Sequence, residues 1–126
     1  MTPEVLLYNI EPKKAAGIKL LCSTLGFNYR VVEPQDFGRP IGALLGLTDS
    51  GENRPDSAFH EELLYLVDIG GMLDIFLMQL RKRRLTVALK AVKTDANIRF
   101  TSCELCRELC AEREALQAGS VAHNGT

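Results

Sequence analysis

Two short apolar runs, Val5–Ile10 (VLLYNI) and Leu63–Ile69 (LLYLVDI), constrain this chain more than any other feature. The first is bounded by prolines at 3 and 12, and the second is the strongest strand signal in the chain. Each is followed by helix-start chemistry. Pro12 stands where a missing N–H costs least, and Ile18, Leu21, Cys22 and Leu25 then recur at helical spacing until Gly26 supplies the stop. Gly70-Gly71 turns the second run into a broadly apolar helix, Met72–Arg84. Tyr29–Val32 and Thr86–Val92 complete a set of four strands. Phe37–Leu47 reads as a short helix, apolar through Ile41, Leu44 and Leu45 but interrupted by Gly38, Pro40, Gly42 and Gly46. A last helix is expected from about Asp95 to Gln117.

The order β-α-β, long connection, β-α-β-α predicts an α+β domain over residues 1–118. Its expected form is a ferredoxin-like βαββαβ sheet with an extra C-terminal helix. In that arrangement Val5–Ile10 and Leu63–Ile69 are the central strands, antiparallel to the two edge strands. The alternative is a flavodoxin-like parallel α/β sheet, which needs a full crossover helix where the glycines of 37–47 stand. The polar stretch 48–60 (TDSGENRPDSAFH) is expected to be flexible and poorly protected from hydrogen exchange, and 119–126 to be a disordered tail. No internal repeat of useful length stands out.

Composition narrows the function classes. Fifteen Lys and Arg against sixteen Asp and Glu leave a net charge of −1, which argues against a specific nucleic-acid binder. Trp is absent and aromatics are 6%, so a base-stacking platform is poorly supplied. No apolar run is long enough to cross a bilayer, and Met1-Thr2-Pro3-Glu4 does not open a secretion signal, so the expected location is cytoplasmic. Cys22, Cys103, Cys106 and Cys110 do not resemble a disulfide framework and are expected as thiols.

Leu6-Leu7-Tyr8-Asn9-Ile10, Leu73–Leu80 (LDIFLMQL) and Leu89–Thr94 (LKAVKT), with Asn97, Phe100, Leu105, Glu108-Leu109 and Glu112, carry a family likeness. The chain resembles a bacterial and archaeal family of uncharacterised proteins known only as a domain of unknown function. The resemblance covers most of the chain outside the 48–60 stretch and the tail, and it implies no known activity. Phe100 stands where those relatives favour Trp, and the cysteine cluster is not part of their pattern. A weaker topological likeness is to the nitrogen-regulatory PII proteins, whose nucleotide-binding motifs do not occur here, so it concerns fold alone.

Three groups of residues invite a functional reading. On a helical wheel begun at Ile98, Leu105, Leu109 and Leu116 form a core stripe, and Cys106, Cys110 and Cys103 fall at about 80°, 120° and 140° from it. Cys103 and Cys110 are about 10.5 Å apart along a helix. Two sulfurs on one zinc cannot be more than about 4.6 Å apart. The three therefore cannot share an ion, and packing is their expected role, with Cys103 and Cys106 the pair to consider for a metal. A redox role for Cys103, Cys106 and Cys110 would gain from the capping-box pattern Thr101-x-x-Glu104, which would bring Cys103 and Cys106 to the first turns of a helix. A start at Thr94 or Asp95 is the preferred reading, because Ile98 extends the apolar stripe, and it leaves the cysteines mid-helix.

Arg81-Lys82-Arg83-Arg84 with Lys90, Lys93 and Arg99 is the basic stretch, read first as a helix end stabilised by cations. An anion site would draw on Lys90, Lys93, Thr94 and Asn97. Asp68 and Asp74 are explained by solvation or capping, Gly70-Gly71 by a tight turn, and no Ser-His-Asp, HExxH or Walker-type spacing occurs. The reading is a non-enzymatic binding or regulatory domain, without cofactor or resident metal. It would act through a protein partner, a small anionic ligand or self-association, since the helix Met72–Arg84 and the strand Leu63–Ile69 together carry more apolar groups than one sheet face can cover. The alternative is a cysteine-based redox or metal-handling protein.

Overall fold

The computed structural model describes residues 2–47 and 58–124, with 117–124 as backbone only. The elements are β1 (Glu4–Tyr8), α1 (Pro12–Leu25), β2 (Asn28–Val31), α2 (Ile41–Leu44), β3 (Leu63–Val67), α3 (Leu73–Lys82), β4 (Leu89–Val92) and α4 (Ser102–Asn124). Short 3₁₀ turns at Pro34–Asp36, Gly70–Met72 and Asn97–Arg99 lead into α2, α3 and α4. The fold is α+β with one mixed sheet in the order β2-β1-β3-β4. The helical backbone of α4 runs through Gly119, where the sequence suggests a polar tail.

β1 and β3 are the central strands, as their apolar runs require. Both are buried on both faces, which is why neither alternates between apolar and polar residues. Their directions differ from the ferredoxin-like expectation. β1 pairs antiparallel with β3, while β1 is parallel to β2 and β3 is parallel to β4. Each βαβ unit thus closes on itself, with its second strand directly beside its first, instead of leaving a gap for the other unit. The local pattern of a βαβ unit is the same in either case, so periodicity could not choose between them. The all-parallel alternative is excluded by the antiparallel β1–β3 pairing.

Helices cover both faces. Val5, Leu7, Leu64 and Leu66 pack against Ile18 and Leu21 of α1 and Phe76 and Leu80 of α3. Leu6, Tyr8, Leu63 and Tyr65 pack on the other side against Phe37, Ile41, Phe59, Leu105 and Cys106. Ile75 and Met78, on the outer side of α3, remain exposed. Within the stretch expected to be flexible, 48–57 lies outside the described residues, while Phe59 is buried between Tyr8 and Phe37.

The backbone contains a repeat that the sequence does not display. β3-α3-β4-α4 retraces β1-α1-β2-α2 down to individual hydrogen bonds. Val32 N donates to Leu7 O at 3.0 Å and Lys93 N to Leu66 O at 2.8 Å. At the helix ends, Phe27 N donates to Cys22 O at 2.7 Å and Leu85 N to Leu80 O at 2.8 Å. Asn9 and Asp68, each just after a central strand, have φ of 57° and 55°. Pro40 and Thr101, each just before a helix, meet in an antiparallel bridge. What repeats is geometry; the side chains at matching positions are mostly different, so residue identity conceals it.

Gly26 closes α1 at φ 77°, in the left-handed region that a Cβ disfavours, with open space around it. Gly26→Ala should therefore cost about 1 kcal/mol from the backbone alone, read as a lower urea midpoint with unchanged slope.

Candidate thiol and carboxylate site

The start of α4 sets the geometry of the cysteines. Thr101 Oγ1 accepts from Glu104 N at 3.1 Å, and Glu104 Oε1 accepts from Thr101 N at 2.9 Å, a reciprocal capping box. The earlier start preferred from the sequence is corrected: Thr94 and Asn97 instead close a separate turn, and Phe100 is extended at φ −74° and ψ 149°. Cys103 therefore lies in the first turn of α4, with Cys106 and Cys110 one and two turns further on. The buried side of the helix is also shifted from the expected leucine stripe. Cys103, Leu105 and Cys106 are buried, whereas Leu116 is 72% exposed. Only the first turns of α4 lie over the sheet, and from Ala111 to Leu116 the helix is exposed.

A carboxylate comes to this face from the entrance of β3. Asn9 Nδ2 donates to Phe59 O at 2.9 Å and Glu61 O at 3.2 Å, fixing the segment that carries Glu61. Glu61 Oε2 then lies 3.7 Å from Cys106 Sγ and 3.7 Å from Cys110 Sγ, with both thiols donating. His60 N donates to Glu61 Oε1 at 3.2 Å. The ligand atoms of Glu61, Cys106 and Cys110 all lie within 4.8 Å of one another. A cavity of about 450 Å³ borders them, and His60, Cys103, Arg107 and Glu114 also line it.

Charge at the site is divided unevenly. Backbone N–H groups of Glu61 and His60 hold the Glu61 carboxyl below the usual carboxylate range, and the two thiols add to this. Burial pushes the Cys106 thiol up to about 12, and the neighbouring Cys110 and Glu61 reinforce the shift. Cys106 is thus a neutral thiol beside an ionised carboxylate. Cys106 lies beyond the first turn of α4, where the helix dipole fades, and its burial leaves it without the thiolate character of a redox nucleophile.

The two thiols that approach a shared carboxylate are those of Cys106 and Cys110, one helical turn apart, whereas the pair considered from the sequence is Cys103 with Cys106. Cys103 lines the cavity without joining the cluster, as the separation along the helix requires. Glu61 escaped sequence reasoning because nothing local marks it; it meets Cys106 across 45 residues of chain. No cysteine is in a disulfide.

The residues suggested for an anion do not converge. Asn97 Oδ1 accepts from Thr94 N and from the Tyr65 hydroxyl, and Asn97 Nδ2 donates to Val92 O at 2.9 Å. Thr94 and Asn97 therefore serve the exit of β4. Lys93 borders a cavity with Glu4 and Asp68, whereas Lys90 borders another, at the end of α3, and donates from Nζ to Val87 O at 2.9 Å. Among the described residues no helix is long and apolar enough to cross a membrane. Comparison with known proteins finds no matching family model, no similar curated protein and no similar solved structure.

Proposed function

We propose that the chain is a non-enzymatic binding domain for a thiophilic divalent ion, Zn²⁺ foremost, held by Glu61, Cys106 and Cys110. The observation that carries this reading is the convergence of two thiols and one carboxylate within 4.8 Å from segments remote in sequence. Zn–S bonds of about 2.3 Å and Zn–O bonds of about 2.0–2.2 Å need only a small contraction of that triangle. His60 borders the same cavity outside the triad, so a fourth ligand would come from a rotation of its side chain or from water. Two thiolates and a carboxylate around Zn²⁺ would leave one negative charge, and Arg107 at the rim opposes it. Asn9 supports the site from outside, as hydrogen-bonded groups behind metal ligands commonly do. Metal binding is preferred to thiol redox chemistry because a cation can displace the thiol protons directly, whereas a neutral, buried thiol is a poor nucleophile.

The test is titration of reduced protein with Co²⁺ and Zn²⁺. One equivalent of Co²⁺ should produce a thiolate-to-cobalt charge-transfer band, and Zn²⁺ should displace it. Cys106→Ser and Cys110→Ser should each weaken Zn²⁺ binding by about 100-fold and Glu61→Gln by about tenfold, with Cys22→Ser unchanged. Absence of the cobalt band in protein with all four thiols free would overturn the reading.

A further inference from the structure

A second cavity, of about 420 Å³, lies between the end of α3 and the entry to β4. Its wall is apolar, from Leu77, Leu80 and Leu85, and its rim carries Arg81, Arg84 and Lys90. None of these three cations is in an ion pair among the described residues. Lys90 Nζ is anchored on Val87 O, which leaves its other protons directed elsewhere.

The backbone repeat provides an internal control. The bland account of cations at the end of α3 is stabilisation of the helix C-terminus. The matching end of α1 has no basic residue in its last turn, so the fold does not require them. Its left-handed closing residue is Gly26, the ordinary choice. The same position after α3 is Arg84, at φ 57°. A non-glycine residue is disfavoured there, and its presence sets a guanidinium at the rim of the cavity. Lys90 belongs to β4 and lies outside the reach of any helix-end argument.

We propose that this cavity binds a small, free, amphipathic anion, with a carboxylate or phosphate monoester head on Arg81, Arg84 and Lys90 and a short apolar tail along the leucines. The volume is in the range of small-molecule sites, and an apolar wall with a few convergent polar groups is their usual form. Arginine suits either head because its planar fork can donate two parallel hydrogen bonds. The inference is independent of the metal site, which lies on the opposite face of the sheet.

Octyl phosphate and octanoate, titrated calorimetrically below their aggregation concentrations at low ionic strength, are the probes. Arg84→Gly is the decisive variant, because its two expected effects have opposite signs. It should raise Tm by relieving the backbone, and it should weaken octyl phosphate binding at least fivefold. Arg81→Gln and Lys90→Gln should each weaken binding by a similar factor. Arg83→Gln should not, since Arg83 donates to Gln79 Oε1 and does not line the cavity. Cys106→Ser should bind octyl phosphate normally, which keeps failure here distinct from failure at the metal site. Inorganic phosphate should bind at least tenfold more weakly than octyl phosphate. Undiminished binding by Arg84→Gly, equal loss in Arg83→Gln, parity of the two phosphates, or binding to anionic phosphatidylglycerol vesicles alone would overturn the proposal.

Discussion

Raising the pH from 8 to 11 should remove on the order of 5 kcal/mol from the free energy of unfolding, because buried acids, Cys22, Cys106, Tyr8 and Tyr65 among them, hold their protons in the native state and lose them in the unfolded chain. Burial pushes the Cys22 thiol up to about 11 and the Cys106 thiol up to about 12. The Tyr8 hydroxyl also rises to about 12, mainly through burial and despite the hydrogen bond donated by Ser102 Oγ at 2.9 Å. The unfolded groups titrate near 9 and 10. Between those values and 11–12 the unfolded chain binds fewer protons than the native one, so stability falls as pH rises. The contribution is fully present below pH 9 and is lost by the time the native groups ionise. Urea midpoints measured from pH 8 to 11, with reductant and chelator present, should fall steadily. Cys22→Ala should flatten the profile by about 1.4 kcal/mol per pH unit over the window in which that thiol titrates. A profile level to pH 11 would show that these groups are solvated in the native protein.

Phe76→Ala should cost about 3–5 kcal/mol, a large part of the stability of a domain this size. Phe76 is fully buried, with its ring 5.8 Å from that of Phe27 and its surroundings formed by Val5, Leu7, Leu64 and Leu66. The neighbouring β-strands and α1 are all anchored to the same cluster and cannot collapse into the void independently. Ile75, the preceding residue on α3, is 41% exposed, so Ile75→Ala should cost less than about 1 kcal/mol. The contrast between adjacent positions is the informative quantity. Similar losses at both, measured by urea denaturation, would mean that α3 presents a different side to the sheet.

The central strands were legible because a strand covered by helices on both faces must be apolar throughout, and β1 and β3 are. Strand direction was not legible, since a βαβ unit has the same periodicity whether its crossover closes on the adjacent position or skips one. The start of α4 shows a closer contest. Thr94 and Thr101 both offer an N-cap, and Glu104 favours the second only if its side chain folds back, as it does here. The error propagated to the cysteines, because moving the helix start also moved which side of the helix the sheet covers. Glu61 lies beyond any local reading. Its place depends on Asn9 holding the chain at the entrance of β3, a contact spanning 52 residues.

The self-closing units also bear on how the chain finds its native state. β1 with β2 and β3 with β4 are pairings between strands separated by a single helix, so each half can organise through contacts close in sequence. The seam that unites them sets Glu4 opposite Val67, the strand pairing most distant in sequence among the described residues. Loop-closure entropy grows only logarithmically with chain length, about 0.6 kcal/mol for each doubling, so this long connection adds little once both ends are preformed. The sheet is thus suited to assembly by docking of two largely formed halves along one seam. Mutations within a half act on the pieces, whereas mutations at the β1–β3 boundary act on the collision that joins them.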